Sequence, residues 1–256
     1  MSLIAMAVYS TVENRKDEYL RRTLESLSKT VDFTRHRLIL SVNSFTEETL
    51  KILVEYSSII TGIIYNHTNI GTAEAINKVW KERQPGENAI KMDDDVEIHQ
   101  VNWVDLMDEC ISRDPKIGQV GLKRKDCMES PDRTDWLGST IHMLPHTPGE
   151  KWIIIEQANH IMGTCVMHSS SLLDTIGYMK QPRLYGFDDV LMSLRSRLAG
   201  FKNVFIPYIE IDHIDSGETS YQKWKERSAG EDMIAYTNFS KYYESGKLPL
   251  YYNPFK

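Results

Sequence analysis

Three consecutive carboxylates, Asp93, Asp94 and Asp95, follow the short apolar run at residues 89–92. Successive side chains of a strand point to opposite faces, so Asp93 and Asp95 would share a face and repel each other unless a cation lies between them. A hard divalent metal ion suits that place because it prefers oxygen ligands. The alternative is that the three acids begin a helix that runs from Val96 onward, since acidic side chains also stabilise helix starts.

A second acidic pair, Asp188 and Asp189, opens a segment that ends at Gly200. This segment carries an apolar stripe at helical spacing, made of Leu191, Leu194 and Leu198. Gly200 can close such a helix as its left-handed cap. Structure alone could explain both acids, because the helix dipole stabilises a first-turn Asp. The same dipole keeps a carboxylate ionised, so a base that takes a proton from a hydroxyl is the functional alternative.

His213 follows a predicted strand at residues 206–211 and is flanked by Asp212 and Asp215. Taken alone, it is better explained as a structural histidine. If Asp95 binds a metal, however, His213 becomes a candidate ligand, because imidazole and carboxylate together suit manganese or magnesium loaded with phosphate oxygens.

The elements that must position these residues alternate between strand and helix. Apolar runs predict strands at residues 3–8, 38–42 and 59–65. Helical spacing follows each of them: around Leu20, Leu24 and Leu27, then at 46–56 with Leu50, Leu53 and Val54 inward, then at 72–83 with Ala73, Ile76, Val79 and Trp80 on one side. This alternation predicts a parallel, doubly wound sheet with right-handed crossovers. Ligands of such sheets bind beyond the carboxyl ends of the strands, and the Asp triplet lies at such an end.

Composition bounds the class of protein. The 256 residues include 41% hydrophobic and 26% charged side chains, which is typical of a soluble globular protein. A net charge of -6 without a basic stripe argues against a nucleic-acid partner. Cys110, Cys127 and Cys165 include no CxxC pair, so neither a disulfide framework nor a zinc site is indicated, and a reducing, cytoplasmic location is expected. No apolar run approaches the roughly 20 residues that span a bilayer.

Beyond about residue 114 the pattern is irregular. Residues 123–151 are interpreted as a long functional loop or a pair of short strands that line a cleft. The aromatic tail at residues 236–256 has three alternatives: it docks on the domain, contacts a membrane surface or builds a dimer. The sequence does not decide among them.

Taken in order, these residues resemble the family 2-like glycosyltransferases of the GT-A fold. The ordered set covers residues 3–215 and comprises Tyr9-Ser10-Thr11, Asn14-Arg15, Asn69-Ile70-Gly71, Asn77, the DxD-type triplet, residues 163–166 and 176–177, the segment 186–189 and His213. The resemblance implies an α/β fold: a GT-A (Rossmann-like) mixed, mostly parallel sheet flanked by helices in a single compact domain of two abutting halves. Residues 1–114 would bind the nucleotide sugar and residues 115–256 the acceptor, with catalysis and the tail in the second half.

The resemblance also implies roles. The chain would transfer a sugar from a nucleotide-sugar donor, expected to be a UDP-sugar, to an acceptor hydroxyl with inversion and without processivity. Asp95 and His213 would bind Mn²⁺ or Mg²⁺, Asp189 would be the catalytic base, and Asp188 would orient the acceptor. The implied nucleotide-binding residues are Tyr9, Ser10, Asn14, Asn43, Asn69, Gly71, Asn77 and Asp93.

Two departures from the family pattern concern the nucleotide. Asn43 stands where many members have an Asp at the end of the second strand, and Ile76 stands where an Arg often precedes the residue equivalent to Asn77. Because Asn can both donate and accept, a uridine nucleotide stays the expectation. Trp136 is the candidate acceptor residue, since aromatic faces stack on sugars, with a packed structural Trp as the alternative. The acceptor would be a glycan, a lipid-linked molecule or a protein.

Two other functions compete with this interpretation. A nucleotidyltransferase would also use clustered acids, but it usually has a glycine-rich phosphate loop after the first strand, and residues 11–15 contain no glycine. A protein that binds nucleotide sugars without turnover could keep the same fold. The presence of both Asp95 and Asp189 favours an enzyme. Peripheral membrane contact and a homo-oligomer are both left open.

Overall fold

The structure, a computed structural model, describes residues 1–128, 140–145, 148–215 and 220–256. Elements alternate as far as the Asp triplet: β1 (Ser2–Tyr9), α1 (Asp17–Thr30), β2 (Arg37–Ser44), α2 (Glu47–Glu55), β3 (Gly62–Tyr65), α3 (Thr72–Trp80) and β4 (Asn88–Met92). The remainder comprises β5 (Val96–Ile98), α4 (Trp103–Arg113), β6 (Ile117–Arg124), α5 (Lys125–Met128), β7 (Thr140–Met143), β8 (Ile154–Gln157), β9 (Cys165–His168), α6 (Ser170–Ile176), α7 (Asp188–Leu198), β10 (Lys202–His213) and α8 (Ser220–Glu244).

The strands form one mixed sheet in the order β3-β2-β1-β4-β9-β6-β10-β8-β7, with β5 paired to β10. The pairs among β1, β2, β3 and β4 are parallel, as the alternation predicts. Antiparallel β9 then separates β4 from β6, and β6 pairs in parallel with β10. The wholly parallel arrangement therefore ends at β4, whereas the mixed, mostly parallel sheet is confirmed. Because β9 runs backwards, the loop before it lies at the carboxyl end of β4.

Helices cover both faces of this sheet. One core cluster joins the sheet to α1, α2 and α4, and a second joins it to α3 and α6. The first strand contributes to both clusters, with Ile4, Met6 and Val8 in one and Leu3 and Ala5 in the other. A strand buried on both faces at residues 3–8 is therefore confirmed.

The inward sides of α1 and α3 agree with their spacing, but that of α2 does not. Leu53 is buried, whereas Leu50 is 38% exposed and Val54 is 74% exposed, so the prediction is wrong for these two residues. Thr49 takes the inward position instead, and its hydroxyl donates to Asp17 at the start of α1 at 2.5 Å. Helix α2 is therefore rotated relative to the orientation that its apolar spacing predicts. The polar contact between Thr49 and Asp17 of α1 accompanies this rotation.

Two boundaries near the functional segments also differ from expectation. Val96 begins strand β5 and the helix starts only at Trp103, so the Asp triplet does not open a helix. In α7, Leu191 and Leu194 are buried, but Leu198 at the last helical position is 42% exposed. The left-handed cap at Gly200 is confirmed by a φ of +86°.

The tail after α8 is held by a buried arginine. Arg195 is fully buried, and its guanidinium donates to the backbone carbonyls of Ile176, Tyr178 and Leu250. The amide of Tyr252 donates to Ile176 at 2.9 Å. For residues 250–252, the structure therefore shows docking on the domain. Among the described ranges, no helix is both long and apolar enough to cross a membrane.

The irregular stretch at residues 123–151 is partly described. Strand β7 lies within this stretch and pairs antiparallel with β8 at the edge of the sheet, but β8 begins beyond residue 151, so only one strand of this pair lies in the predicted range. Trp136, the candidate acceptor residue, lies outside the described residues.

Candidate active site

A cleft of about 430 Å³ opens at the carboxyl ends of β1, β2 and β4. It is lined by most of the predicted site residues, namely Tyr9, Asn43, Asn69, Gly71, Asp93, Asp95, Asp188, Asp189 and His213. The structure thus brings together the DxD-type triplet, the acidic pair of α7 and the histidine of β10, which are far apart in the sequence.

Asp93, Asp95 and His213 form a group that fits a divalent cation. One ligand atom from each residue lies within 4.8 Å of the other two. The pairing of β5 with β10 produces this arrangement, because it sets His213 opposite Val96. The amide of Ile214 also donates to the carbonyl of Asp95 at 2.9 Å. Two carboxylates and an imidazole are a donor set that suits Mn²⁺.

Lys16 also lines the cleft, although the sequence did not indicate it. It is buried, and its Nζ lies 2.6 Å from Asp95 Oδ2 and 3.7 Å from carboxylate oxygens of both Asp94 and Asp215. Burial alone would lower the pKa of Lys16, but the charges of Asp94 and Asp95 outweigh it and hold this pKa well above its ordinary value. Lys16 therefore supplies one fixed positive charge next to the candidate metal ligands.

Asp94 lines the cleft beside Asp93 and Asp95, so the alternation of a strand does not turn it away from them. Its Oδ2 accepts a hydrogen bond from the amide of Tyr9 at 3.2 Å, which ties β4 to the end of β1. Burial raises the pKa of Asp94, Lys16 opposes that rise, and repulsion from Asp95 adds to it.

Lys91 is a second buried cation, and it lies between the two acidic groups. Its Nζ donates to Asp93 Oδ1 at 2.5 Å and to the carbonyl of Gly163. The amide of Gly163 donates to Asp189 Oδ2 at 2.9 Å, so one peptide segment contacts both Lys91 and Asp189. A Cβ at position 163 would lie 3.0 Å from Lys91 Nζ and 3.1 Å from Asp189 Cβ. A side chain there would require Lys91 or Asp189 to shift by a few tenths of an ångström, so glycine suits the close approach of β4, the loop before β9 and α7.

The two acids that begin α7 have opposite pKa shifts. Burial raises the pKa of Asp188, repulsion from Asp189 adds to it, and the charge of Lys91 opposes both. Burial also acts to raise the pKa of Asp189, but contact with His160, the charge of Lys91 and the amide of Gly163 outweigh it and lower that pKa. His160 Nε2 lies 3.3 Å from Asp189 Oδ2. Such a split in a carboxylate pair separates an ionised base from a partner that keeps its proton longer.

The backbone before α7 aims these acids into the cleft. Gly186 and Phe187 both have left-handed conformations, with φ of +84° and +63°. A positive φ is uncommon for a phenylalanine and costs free energy. The ring of Phe187 stacks on Tyr236 of α8, with ring centroids 4.7 Å apart. This stacking helps to hold the turn that precedes Asp188.

Lys91→Met is expected to lower the free energy of unfolding at pH 7 by about 3–5 kcal/mol, because buried acids would lose their shared cation. The loss should shrink toward pH 5. The raised pKa of Asp188 means that the folded state takes up a proton there, which relieves the repulsion among the acids. Urea denaturation at both pH values measures the change.

Lys202→Met is the matched control, since Lys202 pairs with Asp114 at 2.7 Å and is 39% exposed. A surface pair of this kind contributes about 1 kcal/mol or less. Equal losses for the two lysine variants would contradict the role of Lys91.

On the other side of the cleft, Gly71 shapes the start of α3. Its φ is +83°, and a Cβ there would lie 2.9 Å from the carbonyl oxygen of Leu184, so only glycine fits. Asn69 Oδ1 accepts a hydrogen bond from the Gly71 amide at 3.0 Å. This turn brings the first turn of α3 to the cleft.

Three predicted nucleotide-binding residues do not line the cleft. The side-chain amide of Asn77 donates from Nδ2 to the carbonyl of Met179 at 2.8 Å, and its Oδ1 accepts from the amide of Met179 at 2.9 Å. Asn77 therefore ties α3 to the chain after α6. Ser10 is fully buried, and its amide donates to Ser44. Asn14 is also buried, and its Oδ1 accepts from the amide of Lys16 at 3.2 Å. Asn14 thus contributes to the site through Lys16.

Comparisons with known proteins support the fold. No family model matches the chain. A relative among the curated proteins, "Uncharacterized protein y4gI" of Sinorhizobium fredii (strain NBRC 101917 / NGR234), is 25% identical over an alignment of length 172 that covers 60% of this chain and 18% of that protein.

Solved structures share the architecture at low identity. Mannosyltransferase PcManGT from Pyrobaculum calidifontis, in complex with GDP-Man and Mn²⁺, has a TM-score of 0.66 at 13% identity over 87% of this chain and 59% of its own. GalNAc-T7 with UDP, GalNAc and Mn²⁺ gives 0.61 at 16%, over 83% and 43%. S. aureus TarS gives 0.58 at 16%, over 85% and 37%. The chain thus has the fold of GT-A glycosyltransferases and spans less than two thirds of each of these proteins.

Proposed function

We propose that the chain is a metal-dependent glycosyltransferase that moves a sugar from a nucleotide-sugar donor, a UDP-sugar, to an acceptor hydroxyl. The observation that carries this proposal is the arrangement of two acidic groups around Lys91. On one side of Lys91 lie three residues that fit a divalent cation, namely Asp93, Asp95 and His213. On the other side lies Asp189, whose pKa is lowered. The GT-A neighbours, which were solved with GDP-Man or UDP and with Mn²⁺, support the same function.

The charges of the cleft fit an anionic donor that arrives with a cation. Asp93, Asp95 and His213 would hold Mn²⁺ or Mg²⁺. A bound divalent cation stabilises the negative charge that develops on the diphosphate as the bond from sugar to phosphate breaks. Lys16, 2.6 Å from Asp95, adds a fixed positive charge to that side of the cleft.

Asp189 acts as the general base in the proposed reaction. Its carboxylate takes the proton of the acceptor hydroxyl while that oxygen attacks the anomeric carbon, and the diphosphate leaves from the opposite face. Inversion at the anomeric carbon follows from this geometry. Asp188, whose pKa is raised, orients the acceptor. We propose a single transfer to a glycan, a lipid-linked molecule or a protein.

Thermal unfolding with nucleotide sugars tests the binding part of the proposal. A ligand present at 100 times its dissociation constant stabilises the native state by about 2.7 kcal/mol. UDP-sugars with Mn²⁺ should therefore raise the melting temperature, and EDTA should remove the rise. Lack of any Mn²⁺-dependent shift across a panel of UDP- and GDP-sugars would contradict the proposed function.

A further inference from the structure

The amide of Asn43, at the cleft end of β2, is held in one orientation by a chain of hydrogen bonds that starts at Lys78. The Nζ of Lys78 donates to Asn66 Oδ1 at 2.8 Å. An ammonium group can only donate, so the oxygen of Asn66 must face Lys78 and its NH₂ group must face away. That NH₂ group lies 3.0 Å from Ser41 Oγ and 3.0 Å from Asn43 Oδ1.

The backbone supports the same orientation of Asn43. The amide of Ile70 points at Asn43 Oδ1 from 3.5 Å, and the carbonyl of Gly71 lies 3.4 Å from Asn43 Nδ2. A donor thus faces the oxygen and an acceptor faces the nitrogen. Since Nδ2 carries two hydrogens and Gly71 takes one, the group that Asn43 can offer to a ligand in the cleft is an N–H.

The position of Asn43 suits the base of a nucleotide whose diphosphate lies at the metal ligands. The acids Asp93 and Asp95 follow β4, and β1 separates β4 from β2 in the sheet. Strands are about 4.8 Å apart, so the two strand ends are roughly 10 Å apart, the distance that a ribose and a base cover from a diphosphate. Tyr9 lies between them at the end of β1. The opposite direction leads to Asp189, where the sugar reacts.

We propose that Asn43 donates its Nδ2–H to a carbonyl oxygen of the donor's base, and that the chain thereby selects uracil over adenine, which has no carbonyl. This inference rests on the proposed function. A carboxylate at position 43 could only accept, for instance from the N3–H of uracil. Asn43 therefore contacts the base with the opposite hydrogen-bond polarity, and Lys78 fixes that polarity through Asn66.

Calorimetric titration of UDP and ADP in the presence of Mn²⁺ tests this inference. The variants are Asn43→Asp, which turns the donor into an acceptor, and Asn43→Ala, which removes both groups. Asn43→Asp should weaken UDP binding about tenfold or more, and by more than Asn43→Ala does, because a carboxylate would face a carbonyl. ADP carries the same diphosphate but a base without a carbonyl. The change in ADP affinity in Asn43→Asp, which should be smaller, therefore measures the effect of the added charge alone.

The sign of the Asn43→Asp effect decides the inference. If this variant binds UDP as tightly as the unmodified chain or more tightly, Asn43 accepts from the base and the inference is overturned. If Asn43→Ala keeps the full preference for UDP over ADP, it is overturned as well. If neither nucleotide binds the unmodified chain with Mn²⁺, the proposed function fails and this inference fails with it. If the unmodified chain binds UDP tightly with Mn²⁺, the variants test this inference separately from the proposed function.

Discussion

Asp189→Asn is expected to slow sugar transfer by about 10²- to 10⁴-fold, the contribution typical of a general base. Asparagine can still accept the hydrogen bond that the amide of Gly163 gives to Asp189 at 2.9 Å, so the local structure should persist. It cannot take the proton of the acceptor hydroxyl. The measurement is the rate of UDP release from a UDP-sugar with Mn²⁺, together with UDP affinity by calorimetry.

UDP affinity should change little in this variant, because Asp189 is not among the candidate cation ligands Asp93, Asp95 and His213. A loss of nucleotide binding with an unchanged rate per bound donor would mean that Asp189 has another role. Asp174→Asn is the matched control, since Asp174 is an exposed partner of Arg83 and does not line the cleft. It should retain full activity.

Asp95→Ala is expected to abolish the response to Mn²⁺. The substitution removes one of the three candidate ligands, whose ligand atoms lie within 4.8 Å of one another. It also leaves Lys16 among Asp94 and Asp215, where the ammonium group can move toward the vacated position. At 100 times its dissociation constant, UDP with Mn²⁺ should stabilise the unmodified chain by about 2.7 kcal/mol, and the variant should lose most of this stabilisation. Thermal unfolding with and without Mn²⁺ measures the loss.

A second group of possible ligands provides the control for Asp95. Glu97, His99 and Asp212 also bring ligand atoms within 4.8 Å, but His99 is exposed and already contacts Asp212 at 2.9 Å. Asp212→Ala should therefore leave the Mn²⁺ response unchanged. Metal-stimulated activity that persists in Asp95→Ala, or disappears in Asp212→Ala, would refute the assignment of the ligands.

The positions of the acids were predictable from the sequence because simple rules govern them. Alternating strands and helices place the carboxyl ends of β1, β2 and β4 side by side, and residues after those strands share one edge. Asp93 and Asp95 needed nothing more, whereas Asn43 was identified only through the family resemblance. The contact of His213 with these acids depends on the pairing of β5 with β10, which short apolar runs do not specify. Its residue type and its place after a predicted strand made it a candidate ligand, and its order in the motif set supported that.

The buried lysines could not be predicted in this way. Lys91 lies within an apolar run and Lys16 lies just before a helix, where most lysines face solvent. What identifies them is the set of carboxylates around each ammonium group, which comes together only in the folded chain. Asn77 shows the reverse case. Its position in the motif set predicted that it binds the nucleotide, but both polar atoms of its side-chain amide form hydrogen bonds with the backbone of Met179.

Mass spectrometry of a reaction with Mn²⁺ and a panel of nucleotide sugars tests the central claim most directly. We predict that at least one UDP-sugar is hydrolysed to free UDP and free sugar, with water taking the place of the acceptor hydroxyl, that EDTA prevents the hydrolysis, and that Asp189→Asn lacks it. If every nucleotide sugar stays intact while one of them still raises the melting temperature, the chain binds donors without turnover. That result would contradict a glycosyltransferase.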